Sequence, residues 1–527
     1  MKTATKKRPA RREKEETPRE GTPDLFEGKE GAQGEEEQKD PARPGGPEAD
    51  ISKKEREALR KFVGPLSFPQ ARAYERLGRA VLSKKKGVMR SLKGYAGTGK
   101  TYLAGRLSQA LRAAGRDVKV AAPTHKATQQ VAREVGETLD QEEHASSSSG
   151  GEAEARTIQS LLGLKLVPDG KGGFELEPDK YKGPKIFPED VVIVDESSMI
   201  GEQLWKHVCS GRGRAANWVF VGDPAQLPPV NEGASPALSL GGETLEEIVR
   251  QARGNPIIEL ATEVRMGRDH RRGELFEFDA SREEGIAATS SRGALVESAL
   301  RAFGSEDFAE DGDHARILAY RNDTVDYYNR VCREAIYGSD APEYVEGEHL
   351  VADVTWGEGE GGFGSRPLVY NSETLRVIEA EETISACPDG IPPEARGSRR
   401  GGSAYRIWKL KVDPIGEGRS KETIVVMSET DQAAFDKAVE AAKREALDIQ
   451  NAGGDASGAW KRYYDLKQKY AKVSPAFSTT IHKAQGSTFD SVFLDARDVR
   501  ACRSEGERQA LLYVGVTRPS RRLAYFE

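Results

Sequence analysis

The sequence predicts an α/β protein built on two parallel sheets covered by helices, with a β-rich segment set into the second. Three features point there. Short apolar runs of strand length alternate with amphipathic helical patterns, and a glycine-rich turn joins one such run to a helix. The same texture stops near residue 346 and resumes near residue 472. Strands covered on both faces read as near-continuous apolar runs, which marks a parallel sheet.

In chain order, residues 1–55 are expected to form a disordered charged tail. The first 50 hold six prolines and few large apolar residues, too few to offset the entropy of ordering. Residues 1–19 carry eight basic and three acidic side chains, and 20–50 carry three basic and ten acidic. A solvated tail is the plainer reading of that segregation, with a DNA-touching basic arm as the alternative. A first domain is assigned to 56–156 and 188–254. Val88–Leu92 reads as a strand, followed by a helix with Leu103, Leu107, Leu111 and Ala114 on one face. Val118–Ala122, Val191–Val194 and Trp218–Val221 are further strands. The low-complexity stretch from Ser146 reads as a surface loop. Residues 157–187 form an insertion in which Lys165–Leu176 makes a hairpin about an Asp-Gly turn. A second domain takes 255–345 and 472–527, with strands around Ile317–Ala319 and within Ser478–Phe526. Between its halves, 346–471 holds separated strands at Glu348–Val354, Leu375–Ala380, Tyr405–Val412 and Glu422–Met427, then two charged helices.

Composition narrows the class. The 527 residues allow three or four domains at roughly 100–200 residues each. No run of about 18 apolar residues exists, so no membrane-crossing helix is expected. The opening MKTATKKRPARREKEE lacks the apolar run of a secretory signal. Cys209, Cys332, Cys387 and Cys502 lie far apart, which speaks against a C-x-x-C zinc site or a disulfide framework. The net charge of −6 argues against a generic nucleic-acid coat protein. It leaves room for a local basic groove.

Gly94-Tyr-Ala-Gly97-Thr98-Gly99-Lys100-Thr101 matches the phosphate-loop pattern G-x-x-x-x-G-K-[ST] between a strand and a helix. Glycines let backbone N–H groups turn toward phosphate, and the helix N-terminus favours the negative charge. Lys100 would reach the β- and γ-phosphates of ATP, and the Thr101 hydroxyl would hold Mg²⁺. A chance glycine-rich turn is the bland alternative, disfavoured by the correct flanking elements. Val191–Val194 runs into Asp195 and Glu196. Asp195 suits the magnesium-orienting carboxylate and Glu196 the base that polarises attacking water. Gln226, in the segment ending a third strand, is placed to sense a γ-phosphate or the water.

These motifs alone give an NTPase. With them come Ala121–Lys126, Val219–Val230, Thr480–Asp490 and Leu511–Arg518 in order along the chain. Together they resemble the superfamily 1 helicases, in the 5′→3′ RecD-like branch, and are most similar to the Dda-type phage helicases. Lesser segments agree: Thr157–Leu161, Leu245–Gln251, Ile257–Arg265, Ile317–Asn322 and Trp460–Tyr470. The resemblance covers about Leu66 to the C-terminus. It implies two RecA-like domains, a β-hairpin pin at 157–187 and an SH3-like insertion at 346–471. It casts Gln70 as the adenine-recognising glutamine and Arg250 and Arg518 as arginines converging on the γ-phosphate, with Gly486 beside the nucleotide. Pro123, Thr124, His125 and Lys126 are implied as the strand grip of the first domain. Thr480, His482, Lys483 and Asn322 are the matching grip of the second, through phosphate contacts that fix position without reading sequence. Phe174 is implied at the pin tip, where it could stack on the last base pair; a ring packed under a decorative hairpin is the alternative.

The implied activity is an ATP-dependent 5′→3′ DNA helicase acting as a monomer on single-stranded and forked DNA. Its implied setting is replication, recombination or repair inside a bacterial or phage-infected cell, alongside single-strand-binding or replication proteins. No membrane partner is expected, and the only metal expected is nucleotide-borne Mg²⁺. Three rivals stay open: a RecD-like subunit of a recombination nuclease complex, an ATP switch that remodels protein–DNA complexes, and a motor on RNA.

Overall fold

A computed structural model describes residues 51–83, 85–133, 155–230, 232–249, 255–267, 285–357, 367–386, 404–416 and 419–527. The tail up to residue 50, the Ser146 stretch, Arg250 and Cys387 lie outside the described residues. The expected tail is too long at its inner end. Ile51 is buried, and Ser52 caps the helix Lys53–Lys61 through a reciprocal bond with Glu55. That capping box satisfies two otherwise orphaned N–H groups and starts the folded chain before residue 55.

The first sheet has six strands, all parallel: β1 (Met89–Gly94), β2 (Val118–Ala122), β3 (Arg156–Thr157), β6 (Val191–Val194), β7 (Asn217–Gly222) and β8 (Gly242–Leu245). Two further strands, β4 (Leu164–Pro168) and β5 (Phe174–Pro178), pair only with each other as an antiparallel hairpin. The sheet order is β3-β2-β6-β7-β1-β8. Alternation within each strand feeds two cores, as the period of two requires. Val191, Ile193, Val219 and Val221 pack with Leu103, Leu107 and Leu111 on one face. Val192, Val194, Trp218 and Phe220 pack with Ile158, Leu161 and Leu204 on the other.

The second sheet is also all parallel: β9 (Gly285–Thr289), β10 (Ala315–Ala319), β16 (Ser478–Thr480), β17 (Phe489–Asp495) and β18 (Pro519–Phe526), ordered β16-β10-β17-β18-β9. Helices cover both faces here too, with Leu511 and Val514 in one core and Leu295, Ala299 and Tyr328 in the other. The two parallel sheets make the α/β class expected of paired RecA-like domains.

Between the halves of the second sheet lies an antiparallel one: β11 (His349–Ala352), β12 (Thr374–Ala386), β13 (Ala404–Pro414), β14 (Glu422–Met427) and β15 (Val473–Pro475). Its last strand lies beyond the expected limit at 471, because Val351 and Ala352 need partners on their outer edge and Val473–Pro475 supplies them. The helices Glu429–Asn451 and Ser457–Lys467 pack against it through Phe435, Ala438 and Leu466. Among the described residues, Cys209, Cys332 and Cys502 are free thiols, and no helix is long and apolar enough to cross a membrane.

Candidate nucleotide cleft and nucleic-acid path

The phosphate loop leaves the carboxyl end of β1 and enters the helix Lys100–Ala113. Gly97 and Gly99 sit at φ +76° and +73°, a region that side chains with a Cβ rarely enter. A Cβ on Gly94 would lie 2.6 Å from Thr98 Oγ1 and 3.0 Å from Lys100 Cγ. The loop is therefore a cradle open only to a group that does not add bulk from the backbone. Lys100 Nζ donates to the Tyr95 carbonyl at 3.0 Å and stands 3.9 Å from Asp223 Oδ2. Gln70 braces the loop. Its Nε2 donates to the Thr98 carbonyl at 2.9 Å while its Oε1 accepts the Ser67 N–H at 3.0 Å.

Across the cradle, the Thr101 hydroxyl donates to Asp195 Oδ2 at 2.9 Å. A hydroxyl and a carboxylate facing each other at the loop's end form a hard-oxygen pair that fits Mg²⁺ carried by a nucleotide. Among the described residues, no group of three His, Cys, Asp or Glu side chains could hold a metal without such help. Glu196 follows at φ +50°, a left-handed conformation unusual for a residue with a side chain. Burial pushes its carboxyl up to about 7, with the adjacent Asp195 adding to the rise and Arg518 opposing it. Burial raises Asp195 as well. Two neighbouring acids whose charge is this costly need cations close by.

One cation, Lys100, is in the phosphate loop; the other, with several neutral partners, comes from the second domain. Arg518 is buried, held by the carbonyls of Val514 at 3.2 Å and Ser487 at 3.1 Å, and its charge acts on Glu196. Gly486, at φ +75°, comes so close that an added Cβ would lie 3.1 Å from Ala127 Cβ and 3.9 Å from Glu196 Cγ. Gln485 Nε2 reaches the Leu227 carbonyl at 3.1 Å and Gln226 Oε1 at 3.4 Å. The Tyr513 hydroxyl donates to Asp223 Oδ2 at 2.6 Å and accepts the phosphate-loop N–H of Ala96 at 2.8 Å. Burial, with the Asp223 charge, pushes the Tyr513 phenol far above its ordinary value, so it stays a donor.

The expected strand path divides into two parts. Asn322, Thr480 and Lys483 line a common cavity of about 340 Å³ with Asp326, Asp353 and Ser474. Within it Lys483 Nζ is paired to Asp353 Oδ1 at 2.6 Å. His482 does not line that cavity; its Nε2 lies 3.8 Å from Glu507, and burial lowers its pKa. On the first domain, Pro123 offers its carbonyl to Gln159 at 3.3 Å, and the Thr124 hydroxyl accepts the N–H of Ala127 at 3.2 Å. His125 stacks on Tyr370 with ring centroids 3.5 Å apart and planes 6° apart. Burial, helped by Arg419, lowers its pKa to about 4, so the ring is neutral at pH 7. Lys126 pairs with Asp313 at 3.0 Å. In this arrangement both side chains face the second domain and its insertion, with no room for a base between the stacked rings.

Known proteins match along the same motifs. The profile described as an AAA domain matches residues 69–287, and that of a UvrD-like helicase C-terminal domain matches 475–524. The ATP-dependent RecD2 DNA helicase of Deinococcus radiodurans is 33% identical over 174 residues, 32% of this chain and 21% of its own length. The ATP-dependent DNA helicase dda of Enterobacteria phage T4 is 28% identical over 470 residues, 86% of this chain and 97% of its own length. In these matches the chain resembles the superfamily 1 helicases. A solved Pif1 helicase from Bacteroides in complex with ADP-AlF3 and ssDNA aligns over 87% of this chain and 92% of its own, at 14% identity and a TM-score of 0.43.

One placement differs from expectation. Phe174 is not at the hairpin tip, which runs from Asp169 to Gly173; it opens β5, opposite Pro168. Its ring packs on Tyr464 at 5.2 Å, with Lys467 Nζ 5.1 Å from the ring centre. The tip is tied down beside it. Tyr464 accepts the Gly172 N–H at 3.2 Å and donates to the Gly173 carbonyl at 3.0 Å, and Lys467 Nζ donates to the Gly172 carbonyl at 3.0 Å. Burying the ring against a tyrosine-rich helix is more favourable than leaving it in water at a tip. The wedge role expected of Phe174 thus gives way to an anchoring one.

Sequence reasoning quoted the segments containing Tyr513, Gln485 and Asp223 but gave these residues no role. A tyrosine within an apolar helix reads as core, and only its polar partners distinguish it. Tyr513→Phe keeps the shape but leaves buried Asp223 without its 2.6 Å donor. The expected cost is about 1.5–3 kcal/mol for a lost bond to a charged group, seen as a lower melting temperature; an unchanged one would show the tie to be slack. For Phe174→Ala, loss of a half-buried ring should cost about 1–2 kcal/mol. Hydrogen exchange should quicken at Gly172 and Gly173 while β6 and β7 stay protected.

Proposed function

We propose that this protein is a superfamily 1 helicase that hydrolyses ATP with Mg²⁺ to move 5′→3′ along single-stranded DNA and separate duplex ahead of it. The observation that carries the reading is the cleft itself. Lys100, Thr101, Asp195 and Glu196 of one sheet meet Gly486, Tyr513 and Arg518 of the other around a loop shaped for phosphate. Its likeness over 86% of the chain to dda, named an ATP-dependent DNA helicase, supports the nucleotide and the substrate.

Mg²⁺ bound with ATP would be held by Thr101 and Asp195 and would neutralise charge on the phosphates. Lys100 binds phosphate, and its charge opposes the effect of burial on Asp195 beside it. Glu196, poised near neutral pH by burial, accepts a proton from the attacking water, a job best done by a base whose pKa lies close to the working pH. Arg518 brings positive charge from the second domain, so full stabilisation of the transition state needs the cleft closed. Tyr513 ties that same domain to Ala96 and Asp223, so closure is felt at the phosphate loop. Strand grip is assigned to Pro123–Lys126 on one side and Asn322, Thr480, His482 and Lys483 on the other. Alternating their hold as the cleft opens and closes gives net stepping. Gln70 is read as bracing the loop beside the adenine, Gln226 as positioning the water through its contact with Gln485, and Arg250 as a second γ-phosphate cation. The hairpin at 157–187 is read as the strand separator, braced by the helix Ser457–Lys467. Replication, recombination or repair is the proposed setting.

Lys100→Ala should abolish DNA-stimulated ATP hydrolysis without unfolding the protein, since its ammonium makes only one bond, to the Tyr95 carbonyl, and Asp223 at 3.9 Å keeps Tyr513 as its donor. Near wild-type turnover would sink the assignment. Glu196→Gln should keep ATP binding while turnover drops roughly 10²–10⁴-fold, the usual loss for a general base. Fork substrates with either a 5′ or a 3′ single-stranded tail decide polarity; unwinding confined to 3′ tails would refute it.

A further inference from the structure

The segment joining the hairpin to β6 belongs neither to the cleft nor to the strand cavity. Residues 179–187 read Asp-Lys-Tyr-Lys-Gly-Pro-Lys-Ile-Phe, with three lysines and no acid after the first position. The backbone is fixed at several points. Asp179 N–H donates to the Gly163 carbonyl at 2.7 Å and Lys185 N–H to that of Leu161 at 2.8 Å. Phe187 N–H donates to Asp190 Oδ2 at 2.9 Å, and Ile186 is fully buried in the sheet's core. The one acid spends its carboxylate on the turn, accepting the Tyr181 N–H at 2.9 Å.

This fixed loop holds Lys180, Tyr181, Lys182, Lys185 and Phe187 at the surface, with Tyr181 91% exposed. Among the described residues none of the three lysines has a carboxylate partner within 4.0 Å. A ring held out in water between lysines gains nothing for the fold, and simple solubility would not need it. Ammonium groups beside a bare aromatic face match a polyanion that also offers flat rings, which is nucleic acid with an unpaired base. An acidic protein would use the lysines but not the ring.

Position selects which part of the nucleic acid. Leu161 lies in the short helix Ile158–Leu162 and Gly163 caps it, and Gln159 of that helix donates to the Pro123 carbonyl at 3.3 Å. The loop is thus one helix away from the proposed strand path and hangs from the hairpin's root, since β5 ends at Pro178. We propose that residues 180–187 are a junction-binding loop. Lys180, Lys182 and Lys185 contact phosphates of the duplex arm, and Tyr181 stacks on a base unpaired at the fork. This rests on reading Pro123–Lys126 as strand path.

Anisotropy titrations without nucleotide test it, using forked DNA, blunt duplex and single-stranded DNA at several salt concentrations. Tyr181→Ala and the triple variant K180Q/K182Q/K185Q alter only exposed side chains and should keep the wild-type circular dichroism and melting temperature. Tyr181→Ala should weaken fork binding about five- to a hundredfold, the range for one lost stack. The triple variant should flatten the slope of log affinity against log salt on fork and duplex by about 2–3, near 0.9 per phosphate contact. Affinity for single strands, and single-strand-stimulated ATPase, should not change. Unchanged fork affinity overturns the loop, and so does an equal loss on fork and single strand. Capture of an acidic protein with fork binding intact overturns it too. Failure of the motor itself shows separately, as wild-type turnover in Lys100→Ala.

Discussion

Two adjacent carboxylates, buried Asp195 and half-buried Glu196, stand at the end of one strand, and much of the molecule answers that constraint. Unpaired, such charges would cost several kcal/mol each. Lys100 and the Thr101 hydroxyl meet them from the loop after β1, and Arg518 acts on Glu196 from the other domain. Lys100 and Thr101 arrive at the carboxyl edge of the first parallel sheet, where such folds gather their ligands, and Arg518 comes from the turn just before β18 of the second. Stabilising the acids and holding the two sheets together are therefore one problem. Tyr513 shows it in miniature, with one hydroxyl serving Asp223 and the phosphate loop at once.

A second meeting point lies at Asp313. It accepts Lys126 from the first domain at 3.0 Å, Arg316 from the second at 2.8 Å and Thr374 from the antiparallel insertion at 2.8 Å. Burial works against its charge, yet Lys126 and Arg316 hold it at about 2. Close by, Tyr370 of the insertion lies flat on His125, with Arg419 on its ring at 4.8 Å. The insertion bears directly on the surface assigned to the strand, so its position and the grip of the first domain are mechanically linked. Through Tyr464 and Lys467 it also bears on the hairpin tip.

Much of the fold was legible in the sequence because burial on both faces leaves a plain record. β2, β6 and β14 match the predicted spans residue for residue, and β7 extends its span by one residue at each end. Among the strands that escaped prediction are β3, with only Arg156 and Thr157, and β8, whose Gly-Glu-Thr-Leu carries no apolar run. Both are sheet edges, paired on one side only, so no pattern in their own residues was required. The hairpin was visible in its Asp-Gly turn, whereas the destination of its tip was not.

The sequence alone determined the phosphate loop, the acid pair after β6 and the order of motifs, because each works through neighbours a few residues away. Helix start, glycine turn and strand end are local physics and leave local spacing. What the tertiary structure decided is where single side chains end up. Phe174 packs under Lys467, His125 lies on Tyr370, and the loop at 180–187 buries Ile186 while turning Tyr181 outward. Tyr513 bonds partners 290 and 417 residues distant in the chain. Contacts at such separations impose no period on either segment, and only the packing of whole sheets fixes which groups meet.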